Sequence, residues 1–155
     1  MKQLSKIKQI TGCILFFIIL NGCVTATPPA TDCAKLRFET HGAFGWNELI
    51  TSNAMKAKDF YTELFGWSPS IMQKEYISFK NKEEKIAGVM EKKKQKPFWL
   101  PYVTVNDVDK TVEKAKRLGA SILTPPTYAP DIGRFAILKD PQGAVIAVIT
   151  YIRKN

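Results

Sequence analysis

Histidine is almost missing from this sequence. His41 is the only one, and it lies upstream of the first strand-like run, where it reads as a surface linker residue. There is no Cys-x-x-Cys, His-Glu-x-x-His, phosphate loop or dinucleotide fingerprint, so those classes of chemistry are set aside. Acidic residues are also scarce, 14 against 23 Lys and Arg, for a formal charge of +9. Three of those charges, Lys2, Lys6 and Lys8, sit in an expected export signal, and +6 remains without them. A basic surface of that size speaks to solubility and loose association with anions more than to fold, and no nucleic-acid partner is expected from it. With 155 residues, 45% hydrophobic and 24% charged, the composition is that of one globular domain with a real core.

The longest apolar run, Ile14 to Leu20, is too short for a permanent membrane span, which needs roughly 20 residues. Behind the positive n-region it reads as the h-region of a cleaved signal, with Asn21-Gly22 as the small-residue approach to a cut. Leu20-Asn21-Gly22-Cys23 resembles the lipobox of bacterial lipoproteins. That resemblance implies a signal at 1–22 and a lipid-bearing Cys23 as first mature residue. The expected location is then the cell envelope, anchored to a bacterial membrane. By the same resemblance Val24 is not an inner-membrane retention aspartate, which points to outer-membrane sorting. Ile10-Thr11-Gly12-Cys13 fits the pattern but follows no hydrophobic run. If Cys13 leaves and Cys23 is acylated, Cys33 alone remains, and no intramolecular disulfide can form.

Residues 23–41 are rich in Thr, Ala and Pro and read as a flexible tether, with a reach of at most roughly 60 Å from Cys23 to the domain. The domain itself is expected over 42–155. Trp46 to Thr51 is strand-like. Ser52 or Asn53 then caps a helix with Ala57, Phe60, Tyr61, Leu64 and Phe65 on one face, closed by Gly66. Residues 70–80 and 86–90 follow as strands around an Asn81-Lys82 turn, with Tyr76, Ser78 and Lys80 alternating against Ile77 and Phe79, and one further short strand is left open in this half.

The order then recurs. Trp99 to Val105 is a strand, Asn106 or Asp107 caps a second helix ended by Gly119, and strands follow at about 121–124, 135–139 and 144–151. The last two are joined by Asp140-Pro141-Gln142-Gly143. The cap-to-glycine intervals nearly match, which is an internal duplication. Modules of about 42–91 and 98–151 flank a charged linker, Glu91 to Pro97, that reads as a solvated loop.

Two βαβββ modules, with Gly45-Trp46-Asn47-Glu48-Leu49-Ile50-Thr51, Phe60-Tyr61-Thr62-Glu63-Leu64-Phe65-Gly66-Trp67 and Gly133-Arg134-Phe135-Ala136-Ile137-Leu138-Lys139-Asp140-Pro141-Gln142-Gly143-Ala144, resemble the vicinal oxygen chelate superfamily. This is the group of glyoxalases, bleomycin resistance proteins and extradiol dioxygenases. The resemblance implies one α+β domain with a curled mixed sheet around a cleft. It also implies a divalent metal held by His and Glu from the first and last strands of each module. Here the matching positions fall near Trp46, Leu100 and Ala147, none of which binds such a cation, so no metal and no cofactor are expected. Homodimers or exchanged halves are frequent in such proteins, so a homodimer is plausible.

Strand alternation puts Trp46, Glu48 and Ile50 on one face. If it faces the cleft, Glu48 becomes a candidate general base, its pKa raised by burial; an ion pair with a lysine or Arg134 is the alternative. Tyr102 and Thr104 lie on the corresponding face of the second module and could orient a ligand. Trp46, Tyr102 and Phe135 could stack a planar one. Three functions remain open: a metal-free domain that binds a small molecule, an enzyme with Glu48 as base, and a scaffold whose cleft its own side chains fill.

Overall fold

In the computed structural model, residues 30–73 and 76–152 are described. The expected signal, Cys23 and the first part of the tether lie outside them. The chain runs α1 (Ala30–Glu39), β1 (Phe44–Thr51), α2 (Ala54–Phe65), β2 (Ser68–Gln73), β3 (Tyr76–Asn81), β4 (Glu84–Glu91), β5 (Phe98–Thr104), α3 (Val108–Arg117), β6 (Ser121–Ala129), β7 (Gly133–Lys139) and β8 (Val145–Tyr151). No helix among the described residues is long and apolar enough to cross a membrane.

The helices start and stop where side chains satisfy their free backbone groups. Asn53 and Asp107 each accept a hydrogen bond at 2.9 Å from the amide three residues on, Lys56 and Lys110. Gly66 ends α2 in the left-handed region at φ 68°, which a side chain would make costly. Helix α3 carries Asp109 in its first turn and Lys114, Lys116 and Arg117 in its last, matching the helix dipole at both ends.

All strands join one eight-stranded sheet in the order β2-β3-β4-β1-β5-β8-β7-β6. Within each module the first strand lies parallel to the last, β1 to β4 and β5 to β8. The modules meet where β1 and β5 pair antiparallel. There Trp46 faces Tyr102 and Glu48 faces Leu100. Trp46 and Glu48 precede the cap Asn53 by the same intervals as Leu100 and Tyr102 precede Asp107. The register is therefore the signature of a pseudo-twofold axis through the seam.

Alternation along the strands divides the sheet into two faces. Ile77, Val89 and Leu49 stand side by side across β3, β4 and β1 and face α2, where Phe79 and Ala54 complete a core. Val105, Ala136, Leu138 and Val148 do the same under Val108 and Val112 of α3. Each module thus packs its own helix on one side of the sheet and leaves the other side for the site, although of the face expected on α2 only Ala57 and Tyr61 meet the core, and Phe60, Leu64 and Phe65 stay more than half exposed.

Two expectations change. The run at 70–80 divides into two antiparallel strands, β2 and β3, which supplies the further strand left open for the first module. The tether is helical from Ala30 on, because Ala, Lys, Leu, Arg and Glu at 34–39 favour a helix and Lys35 pairs with Glu39 at 3.5 Å. Ten residues in α1 span about 15 Å rather than the ~33 Å of an extended segment.

Phe79 is fully buried between α2 and the sheet, against Tyr61 and Trp67. Phe79→Ala is expected to destabilise the domain by about 3–5 kcal/mol, read as a shift of the urea unfolding midpoint.

Candidate functional site

The face turned away from α2 and α3 is built from the residues that alternate with the core. Ser78, Gly88, Glu48 and Leu100 form one row across β3, β4, β1 and β5. Trp46, Tyr102, Ala147 and Ile137 form the next across β1, β5, β8 and β7. By the pseudo-twofold, Glu48 corresponds to Tyr102. Since Glu48 pairs with Gly88 and Tyr102 with Ala147, the two closing strands carry their smallest residues at equivalent points. At the first of these, a Cβ on Gly88 would strike the Tyr76 phenol and come within 3.2 Å of the Trp46 indole nitrogen. Glycine there is what lets Tyr76 lean over the sheet toward Glu48.

Glu48 is buried, 6% exposed, and accepts a hydrogen bond from the Tyr102 hydroxyl at 3.0 Å. Tyr76 lies within hydrogen-bonding reach of the same carboxylate and of the Trp46 indole. Burial raises the Glu48 pKa above the usual carboxylate value, and the Tyr102 and Tyr76 hydrogen bonds and the Lys92 charge offset only part of that. Tyr76 and Tyr102 are raised in turn, first by burial and then by the Glu48 charge, so both phenols stay protonated donors.

No salt bridge reaches Glu48 among the described residues. Arg134, one of its expected partners, instead clamps Asp109 on α3 with bonds of 2.7 and 2.8 Å. Arg37 pairs with Glu84 at 2.9 Å and donates to the Lys85 carbonyl.

Helix α1 covers one end of this face. The Phe38 ring stands edge-on to Tyr151 at 5.0 Å, and Thr104 donates its hydroxyl to the Arg37 carbonyl at 2.6 Å. Gly45 makes that approach possible, because a Cβ there would lie 2.7 Å from the Thr104 hydroxyl and 2.8 Å from that of Tyr151. The Tyr151 hydroxyl and the Ser78 hydroxyl are buried without a hydrogen-bond partner among the described residues. Two open cavities, of about 440 Å³ beside α3 and about 300 Å³ between Trp67 and Trp99, lie elsewhere and do not include Glu48. Trp46, Tyr76 and Tyr102 stand around the Glu48 carboxylate.

Residues 43–148 match the family model described as Glyoxalase/Bleomycin resistance protein/Dioxygenase superfamily. The chain belongs to this superfamily. It is 34% identical over 114 residues to the Mycobacterium tuberculosis protein named "Putative glyoxylase CFP32", covering 70% of this chain and 44% of that one. It is 26% identical over 127 residues to an anthracycline biosynthesis protein, DauV, of a Streptomyces species, covering 69% and 46%. The chain thus spans less than half the length of these relatives. Among solved structures it superposes on a variant of homoprotocatechuate 2,3-dioxygenase from B. fuscum with a TM-score of 0.55 at 18% identity, over 70% of this chain and 32% of that one. The Mn(II)-bound glyoxalase of Novosphingobium aromaticivorans gives 0.53 at 15%, over 67% and 37%. These two likenesses concern the fold.

The metal that the superfamily implies does not fit the donors on this face. Leu100 and Ala147 are buried and carry no donor, Gly88 has no side chain, and Glu48 is a lone carboxylate among phenols. No group of three His, Cys, Asp or Glu side chains that could hold a metal exists among the described residues.

Of the residues expected at the site, Trp46, Glu48 and Tyr102 come together, and Phe135 lies 6.3 Å from Tyr102 between ring centroids. Thr104 is on the same face, but its hydroxyl is committed to α1 rather than free for a ligand. His41 is exposed and accepts from the Asn106 amide at 3.3 Å through Nδ1. Tyr76, Gly88 and Tyr151 were not foreseen as site residues. The alternation of Tyr76 and Ser78 against Ile77 and Phe79 carried the signal for Tyr76. Tyr151 shares its parity with Ala147.

Because folding raises the Glu48 pKa, the folded protein holds that proton more tightly than the unfolded chain. The resulting stability is fully present below the ordinary value of 4.5 and is lost as pH rises through the folded-state pKa. Glu48→Gln is expected to raise the thermal midpoint at about pH 8 and to leave it nearly unchanged at about pH 4. Equal shifts at both pH values would contradict this environment for Glu48.

Proposed function

We propose that this domain binds a small molecule on the concave face at Glu48, without a metal, while tethered to the cell envelope. The observation that carries the reading is a buried carboxylate that takes a hydrogen bond from Tyr102, lies beside Tyr76 and has no salt bridge among the described residues. Such a group costs stability when its charge is not paired, and perturbed groups of this kind concentrate at functional sites. Its place supports the same reading, at the seam where the two modules meet. Tyr102 and Tyr76 orient the carboxylate, and Trp46 and Phe135 supply ring faces beside it.

The raised pKa of Glu48 favours a second reading, in which it removes a proton next to a carbonyl. In that case Tyr102 and Tyr76, as protonated donors, hold the developing oxygen charge. A homodimer would supply the second domain-sized unit that the length of the curated relatives leaves room for.

The full chain, purified in detergent, is expected to carry substoichiometric Fe, Zn, Ni and Mn by elemental analysis. Native mass spectrometry is expected to show a retained small molecule that Glu48→Gln loses. A stoichiometric metal would overturn the metal-free reading. Turnover that Glu48→Gln abolishes while binding persists would select the enzyme.

The envelope location has its own test. Bacteria fed labelled palmitate are expected to label the wild-type chain and not Cys23→Ser, and equal labelling of the two would remove the anchor.

A further inference from the structure

We propose that the molecule taken by the Glu48 site is an organic cation with a flat apolar body, entering where the end of α1 now lies. The inference rests on the binding reading above and adds the ligand's charge and shape. Its first support is a buried carboxylate that no salt bridge reaches among the described residues. Glu48 is 6% exposed, Tyr102 donates to it with Tyr76 beside it, no salt bridge reaches it among the described residues, and the Lys92 charge offsets its burial only in part. Phenols donate hydrogen bonds but bring no positive charge. A ligand carrying that charge would gain from the buried carboxylate what water cannot supply there.

The second support is the material around the carboxylate. Trp46, Tyr76, Tyr102 and Tyr151 present aromatic rings on the same side of the sheet, with Phe135 behind Tyr102. Ring faces attract cations as well as flat apolar surface, so a carboxylate set among them matches an aromatic or ring-bearing ammonium on both counts. An anionic ligand would meet Glu48 with like charge. A neutral one would leave the carboxylate as it found it.

The third support is what the chain itself puts at the mouth. The Arg37 guanidinium lies 4.7 Å over the Phe38 ring, and Phe38 in turn packs edge-on against Tyr151. A cation and an aromatic ring together thus occupy the edge of the site from within the same chain. Few contacts hold them there: the Thr104 bond to the Arg37 carbonyl, the Tyr151 contact and the Arg37 bonds to Glu84 and Lys85. Moving α1 aside breaks none of the sheet pairings. It uncovers the Tyr151 hydroxyl, which has no hydrogen-bond partner among the described residues, as a polar contact for the entering molecule.

The test is calorimetric titration of the full chain in detergent with three flat two-ring probes of similar size. These are 1-methylquinolinium, which is cationic at every pH, neutral 1-methyl-2-quinolone and anionic 2-naphthoate. The quinolinium is expected to bind at least about tenfold more tightly than the quinolone, about 1.4 kcal/mol. Glu48→Gln is expected to erase that preference while still binding the neutral probe. If quinolone or naphthoate binds as tightly as the cation, or if the preference survives in Glu48→Gln, the cation assignment is wrong and the binding reading stands. If none of the three binds up to millimolar concentration, the binding reading falls with it.

Discussion

The antiparallel pairing of β1 with β5 is the constraint on which the rest depends. Each βαβββ module can pack its helix on its own, but neither makes a site, because a module contributes only half of the concave face. The seam sets Trp46 against Tyr102 and Glu48 against Leu100, which brings a carboxylate from one module under a phenol from the other. Strand periodicity makes that register strict. A slip of one residue would turn Glu48 toward α2 and Leu49 toward the cleft, exchanging site and core at once.

The site that results is one the fold tolerates rather than one that stabilises it. Burial pushes Glu48 toward its neutral form, and two hydrogen bonds only partly resist. Elsewhere the chain pairs its charges: Arg134 is clamped by Asp109, Arg37 by Glu84, and both sit at the periphery. Glu48 is the contrast, internal and without a salt bridge among the described residues. Its neighbours are arranged around that condition, with Gly88 making room for Tyr76 and the indole of Trp46 steadying Tyr76 in turn.

Much of this could be read from the sequence because two periodicities and their punctuation are strong. Asn53, Gly66 and Asp107 mark the helix ends, and the alternation around Glu48 and Tyr76 assigns faces before any contact is known. Two things escaped. The fact that 70–80 is a hairpin depends on a pairing that the run of strand-forming residues does not reveal. The role of α1 depends on long-range contacts, since Arg37 and Phe38 acquire meaning only by meeting Thr104, Glu84 and Tyr151. A one-dimensional pattern records which side a residue faces, and it cannot record what crosses from a distant segment to cover it.

The paired small residues of the closing strands bear on descent. Gly88 and Ala147 stand at equivalent points of the two modules. In the genetic code every glycine codon and every alanine codon becomes an aspartate or glutamate codon by one change at its middle base. Each module is therefore a single mutation from placing a carboxylate on the floor of the cleft. At Ala147 the new side chain would arrive beside Tyr102. At Gly88 it would collide with the Tyr76 phenol, so the first module would accept it only if Tyr76 moved aside. The two halves of this duplicated domain are structurally equivalent and yet unequally free to change.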